Sequence, residues 1–422
     1  MKKFFALALI CALVLALVPS VALAETYTDW TSSTSLPTAA GAYKLTTDVT
    51  LSSKVDISNS VKLDLNGKTV TLNGAGQFFV RNTGSLTIED SVGSGKILIS
   101  ASSTQSYAIQ INGGNFQVDG GTIENTKKAV KAVFLNTNST FTQNGGAIIN
   151  NVTDTNPPFD GGCPVHVNSG ATFILNGGEV VNLYTKGGNA IYLNSSGSQP
   201  TTVFTLNGGT VKNAAAGSDG LVSAIEGSGG NINILITAGE IVAPGTGIEA
   251  PSASVEITGG KITAVDGFAI QGNNATIGGT AQITAGNAVL YAKNNSSNSN
   301  TITGGTFVAP ELMESTYASA DTSKVTVSGG TFTDPSGEVM LGVEGNLAAG
   351  AVLNDNGQVT PPAPATPTPT PTPAPATPTP VVPTAPADVP ETGDHDLPIL
   401  CAVLALLALV GMGLVKRVND RI

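Results

Sequence analysis

The chain has 422 residues, of which 50 are glycine, only 12% are charged and 5% are aromatic. This is neither a disordered nor a helical composition, and it suits many short strands joined by glycine turns. The net charge of −11 argues against nucleic acid and anionic lipid as partners.

The first 24 residues have the three parts of a secretory signal. Lys2 and Lys3 precede an apolar run over residues 4–18, and small residues follow up to Ala24. We predict cleavage after Ala24, so that the mature chain begins at Glu25; a retained membrane anchor is the alternative.

Residues 25–60 are predicted to form an N-terminal cap and a first strand. The end of a strand stack exposes unpaired backbone groups, which have to be covered. Trp30, the only tryptophan, is the candidate to lie over that end, and a mobile leader is the alternative.

Residues 61–358 are predicted to form a β-helix with a C-terminal cap, because a short sequence motif repeats up to Phe332. Apolar and polar residues alternate, a glycine pair turns the chain, and an apolar residue starts the next segment, as in TFILNGGEV at 172–180. Helices would hold these glycines in their interior at about 1 kcal/mol each, so we predict a β-solenoid. Its eleven coils, about 4.8 Å apart, make a rod about 50 Å long. The apolar residues after the turns are Val70, Ile97, Ile123, Ile148, Val180, Val211, Ile241, Ile262, Ile283, Phe307 and Phe332.

A second repeated motif, such as Ala190-Ile191-Tyr192, predicts another strand in each coil. Its middle residue should point into the solenoid and its third residue outward. Two interior ladders then follow from the alignment. One stacks amide side chains after the turn, and the other stacks phenyl rings before it. They comprise Asn125, Asn150, Asn182 and Asn213, and Phe116, Phe141, Phe173 and Phe204.

With these repeats the chain resembles the pectin-lyase-like superfamily over roughly residues 40–350. The resemblance implies an all-β, right-handed parallel β-helix of about eleven coils. It implies no single activity, because that fold hosts lyases, hydrolases, adhesins and structural rods.

The catalytic motifs of that superfamily do not appear. Its lyases place an Arg or Lys beside calcium-binding carboxylates, and Arg81 is the only arginine between residues 25 and 393. Its hydrolases carry Asp-Asp, His-Gly and Arg-Ile-Lys strings, which do not occur here. We therefore predict no catalytic residue and no cofactor. Two outward acids one coil apart, Glu226 and Glu249, leave glycoside hydrolysis open as an alternative.

Cys163 and His166 are spaced as C-x-x-H, but two ligands do not make a zinc site, so no metal is predicted. The other two cysteines, Cys11 and Cys401, fall in the terminal segments. Cys163 therefore has no disulfide partner and is expected to be structural.

One region departs from the average coil. Three consecutive coils have longer connections, at residues 151–163, 183–189 and 214–223. Insertions on one face of a solenoid often mark its binding face, although tolerated drift in loop length is the alternative. The outward residues beside these loops predict a surface for neutral sugars or a host surface. They are Phe134, His166, Tyr192, Glu226 and Glu249.

Residues 359–388 are predicted to form an extended stalk, whose run of mainly proline, threonine and alanine at 361–388 spans up to roughly 85 Å. Residues 389–422 then resemble a Gram-positive sorting signal of the LPxTG type, with an apolar stretch at 397–415 and a basic tail at 416–422. Its motif is Val389, Pro390, Glu391, Thr392 and Gly393.

The sorting resemblance implies that a sortase cleaves after Thr392 and transfers it to peptidoglycan. The membrane would then be a partner only through the C-terminal segment before sorting; a plain transmembrane anchor is the alternative. We expect an extracellular, wall-anchored protein that is adhesin-like or carbohydrate-binding and not catalytic. The alternatives are a surface polysaccharide lyase or glycoside hydrolase, and a structural envelope component without a ligand.

Overall fold

Three columns of parallel strands stack along one axis in the computed structural model. It describes residues 25–153, 162–184, 187–197, 199–214, 222–292, 298–315 and 323–362. The predicted signal, the sorting motif and the stalk beyond residue 362 lie outside these residues. The chain separates into two units, Met1–Pro364 and Ala365–Ile422, and only the first contains described residues.

A coil contributes one strand to each of the three columns. We call them the pre-turn column, whose strands precede the glycine turn, the post-turn column, whose strands follow it, and the side column. The pre-turn strands are Thr28–Trp30, Gly41–Leu45, Ser60–Asp64, Ser85–Glu89, Asn115–Val118, Thr140–Gln143, Thr172–Leu175, Thr202–Leu206, Ile232–Ile236, Ser254–Ile257 and Ala275–Ile277. The post-turn strands are Val49–Leu51, Thr69–Leu72, Lys96–Ile99, Thr122–Asn125, Ala147–Asn150, Glu179–Asn182, Thr210–Asn213, Glu240–Ala243, Lys261–Ala264 and Gln282–Ala285. These two columns merge at the long strands Asn298–Val308 and Ser323–Thr333.

The side column is a separate sheet of eleven strands. It consists of Lys54–Ile57, Gln77–Arg81, Tyr107–Asn112, Lys131–Leu135, Val165–Val167, Ile191–Asn194, Ile225–Ser228, Ile248–Glu249, Ile270–Gln271, Ala288–Ala292 and Glu311–Ser315. The described residues thus form an all-β solenoid, as the repeats predict.

The predicted register is confirmed in every coil. From Val70 to Phe332, each of the eleven apolar residues after the turn is the register partner of the next. Val49 pairs with Val70, so the stack begins one coil earlier than the alignment, inside residues 25–60.

Phenyl rings fill the interior of four successive coils, as predicted. The ring of Phe173 lies 4.6 Å from that of Phe141 and 5.3 Å from that of Phe204, and Phe116 continues the stack at 5.0 Å from Phe141. All four side chains are buried. A shift of one residue would turn the whole column to the outer face, so these rings favour a single register.

The interior amide ladder is also confirmed. Asn125 donates to Asn150 at 2.9 Å, Asn150 to Asn182 at 2.8 Å, and Asn182 to Asn213 at 3.1 Å. The same amides bind the loop that follows: Asn182 donates to the carbonyl of Gly188 at 3.0 Å. The ladder therefore satisfies backbone groups that the longer connections leave unpaired.

Both ends of the stack are covered. At the N-terminal end, the Trp30 indole donates to the carbonyl of Ser35 at 2.8 Å and packs edge-on against Tyr43. Tyr27 donates to Glu89, and burial raises the pKa of Tyr27 to about 12. At the C-terminal end, the antiparallel strands Val352–Leu353 and Gln358–Thr360 close the stack, beside a short 3-10 helix at Glu344–Asn346.

Candidate functional site

One continuous row of side chains runs along the outer face of the side column, and we call it the outer row. Register pairs link its eleven members, so neighbours are one coil apart. They are Asp56, Phe79, Gln110, Phe134, His166, Tyr192, Glu226, Glu249, Gln271, Tyr291 and Glu314. The five residues predicted to form a binding face are thus consecutive members of this row.

The aromatic part of the row is a continuous series of ring contacts. Phe134 lies 4.1 Å from the ring of Tyr107 and 5.0 Å from that of His166, and His166 lies 4.9 Å from Tyr192. Phe134 is only 8% exposed. The expectation that Phe134 presents an exposed ring is therefore wrong. The Tyr107 ring stacks on Phe134 with an angle of 23° between the planes, whereas His166 meets Phe134 and Tyr192 at steep angles of 54° and 60°.

The acidic part of the row is held by amide groups. Glu226 and Glu249 are register partners and half-buried. Asn189 donates to Glu226 and accepts from the hydroxyl of Ser223 at 3.0 Å. The Gln271 amide donates to Glu249 at 2.9 Å. These contacts hold the two neighbouring carboxylates in place along the row.

Beyond the acids the row becomes aromatic again. Tyr291 stacks on Phe268 at 4.4 Å. The sequence prediction missed this second ring, although Ala288–Ala292 has the same alternation as the other side strands. At the end of the row, burial raises the pKa of Glu311, and the nearby Glu314 carboxylate adds to the effect.

Arg81, considered above for lyase chemistry, forms an ion pair with Asp56 at 3.0 Å at the other end of the row.

Cys163 is buried. Much of the longer loops at 151–163 and 214–223 lies outside the described residues, so their predicted role stays a prediction.

The residues described here contain no cluster of three His, Cys, Asp or Glu side chains that could hold a metal ion. In the same part of the chain no helix is long and apolar enough to cross a membrane. What the site does offer is a line of fixed acceptors between two aromatic positions.

In the comparisons, no protein family model, no curated protein and no solved structure matches this chain.

Proposed function

We propose that this protein is a secreted, wall-anchored surface protein of the pectin-lyase-like kind, whose outer row binds a neutral glycan without cleaving it. The main support is the part of the outer row from Tyr192 to Tyr291. There Glu226 and Glu249, each hydrogen-bonded to a side-chain amide, lie between two aromatic side chains. Carboxylates accept hydrogen bonds from sugar hydroxyls, and aromatic rings pack against the apolar side of a sugar.

The length and charge of this segment suit an oligosaccharide. Tyr192 and Tyr291 are four coil steps apart, or about 19 Å. The two carboxylates and the net charge of −11 repel uronates and phosphates, so the ligand class is a neutral glycan.

Replacing both flanking rings tests this proposal. We expect Tyr192→Ala with Tyr291→Ala to weaken glycan binding roughly five- to 150-fold, because each ring contributes about 0.5–1.5 kcal/mol. The measurement is glycan-array binding of residues 25–364. Tyr192→Phe with Tyr291→Phe keeps both rings and is expected to retain most of the binding. Unchanged binding by the alanine variant, or binding to no glycan, would exclude this site.

Glycoside hydrolysis is the second candidate, because Glu226 and Glu249 are direct register neighbours. Their backbones are about 4.8 Å apart, near the 5–5.5 Å between the carboxylates of retaining glycosidases. The test is whether the protein releases reducing ends from a glycan. If it does, and if both Glu226→Gln and Glu249→Gln abolish the release, hydrolysis replaces binding as the proposed function.

Anchoring through residues 389–393 is proposed from the sequence alone. We expect Thr392→Ala to move the protein from the enzymatically released wall fraction to the membrane fraction, because a sortase needs Thr392 for transfer. Thr384→Ala in the stalk is the matched control and should stay in the wall. If wild type and Thr392→Ala are both extracted by detergent, the segment is a membrane anchor.

A further inference from the structure

We infer that the corner between the pre-turn and post-turn columns is a second binding site, for one chain of a neutral polysaccharide lying along the solenoid axis. A groove of about 410 Å³ opens there, and we call it the glycine groove. It is lined by Gly93, Gly121, Thr122, Gly146, Ala147, Gly178, Glu179 and Thr210. It belongs to different strands from the outer row.

The floor of the groove is bare backbone for a structural reason. Gly146 and Gly178 have φ of 69° and 78°, in the left-handed region. A Cβ on Gly178 would lie 2.3 Å from the carbonyl oxygen of Gly146 in the preceding coil. Side chains are thus excluded from the floor over successive coils, and a long open channel results.

The wall of the groove supplies polar groups without partners. Thr122, Ala147, Glu179 and Thr210 are register partners in successive post-turn strands. In the described part of the chain, the side chains of Thr122, Glu179 and Thr210 make no hydrogen bond or ion pair. They offer hydroxyl donors and acceptors one coil apart, with small Ala147 leaving room between them.

A ladder of exposed amides runs through the same turns, two residues before Gly146, Gly178 and Gly209. Asn144 donates to Asp119 at 2.7 Å, Asn176 to Asn144 at 2.9 Å, and Asn207 to Asn176 at 3.0 Å. Each amide uses one N–H and keeps its second N–H for a ligand. Donors therefore recur at the spacing of the coils, about 4.8 Å.

A buried amide lies against the same corner. Gln143 is fully buried where the neighbouring coils have Val118 and Leu175. It donates to the carbonyls of Glu179 at 3.1 Å and Gly146 at 3.4 Å, both groove residues. Its own oxygen has no hydrogen-bond partner in the described part of the chain. Gln143 therefore places a polar side chain in the interior, next to two residues of the groove.

The ligand class follows from the charges and the shape. Glu179 in the wall and Asp119 at the end of the ladder repel anionic polymers, while sugar hydroxyls match the threonine hydroxyls and the amides. The groove spans five coils, or about 19 Å, which holds a linear segment of several sugars. With the outer row, the rod would bind two glycan chains at once.

Affinity electrophoresis of the full chain in mild detergent tests this site. The gels contain linear β-glucan or xylan as neutral polymers and polygalacturonate as the anionic one. We expect a neutral polymer to retard both the wild type and the Tyr192→Ala/Tyr291→Ala variant, because the glycine groove is independent of the outer row. In the Tyr192→Ala/Tyr291→Ala background, Ala147→Trp, which fills the groove, should reduce that retardation at least fivefold, whereas Ala147→Ser should not.

Thr122→Ala with Thr210→Ala keeps the groove open and removes its hydroxyls, so this variant should also lose retardation even if Ala147→Trp fails to fold. The inference is overturned if no neutral polymer retards the Tyr192→Ala/Tyr291→Ala variant. It is also overturned if both groove variants, made in that background, bind like their Tyr192→Ala/Tyr291→Ala parent, or if polygalacturonate retards this parent as strongly. None of these results depends on whether the outer row binds glycan.

Discussion

Phe173→Ala should lower the free energy of unfolding by about 3–5 kcal/mol, the usual cost of removing a buried phenyl ring. Phe173 is the centre of the interior ring column, with Phe141 and Phe204 on its two sides. The backbone around it is held by hydrogen bonds to the preceding and following coils, so the cavity cannot collapse.

Urea unfolding of residues 25–364 is the measurement. The matched control is Ile174→Ala on the same strand, whose side chain points outward and is partly exposed. We expect it to cost less than about 1 kcal/mol. Equal losses in the two variants would contradict a solenoid core built on this column. A Phe141→Ala/Phe173→Ala cycle should show a coupling of about 0.5–1.5 kcal/mol.

The register of the solenoid could be predicted because two signals coincide. A glycine turn, in most coils a glycine pair, separates the two strands, and alternation of apolar residues tells inside from outside, so Ile148 and Val180 can be aligned without coordinates. The first coil was missed because it turns through Thr46, Thr47 and Asp48 without a glycine pair. There the Asp48 carboxylate accepts from the amide of Thr69 at 2.8 Å.

The candidate site was only partly predictable. Alternation placed Phe134, His166 and Tyr192 on one outer face, but it does not say whether a ring face is free or covered. Contacts between coils decide that, and they cover Phe134 with Tyr107. The glycine groove was missed for a related reason, because glycines read as turns in the sequence and only stacking joins them into a channel.

The interior amide ladder explains why asparagine gives way to alanine along the rod. The ladder positions in the later coils are Ala243, Ala264 and Ala285, which are register partners. The connections from these strands to the next side strands are short, whereas Asn182 and Asn213 bind the carbonyls of longer ones, including Gly188 and Ser223. Asn182 and Asn213 thus hold the long loops of their own coils against the solenoid.

Asn182→Ala should therefore cost about 2–4 kcal/mol, although alanine occupies the same position elsewhere in the rod. Asn182 accepts from Asn150 at 2.8 Å and from the backbone amide of Tyr184 at 3.2 Å, and it donates to Asn213 and Gly188. Its removal leaves several buried groups unpaired, each costing about 1–3 kcal/mol before relaxation or water entry offsets part of it.

Asn207→Ala is the matched control for this prediction. Asn207 also belongs to an amide ladder, in which it donates to Asn176 at 3.0 Å and accepts from Thr237 at 2.8 Å, but it is exposed. Water can replace its partners, so the expected cost is below about 1 kcal/mol. Urea unfolding gives the two costs, and hydrogen exchange should show faster exchange at Tyr184 only in Asn182→Ala. Similar costs for both variants would mean that stacking of amides, and not the burial of loop carbonyls, sets the energy of the ladder.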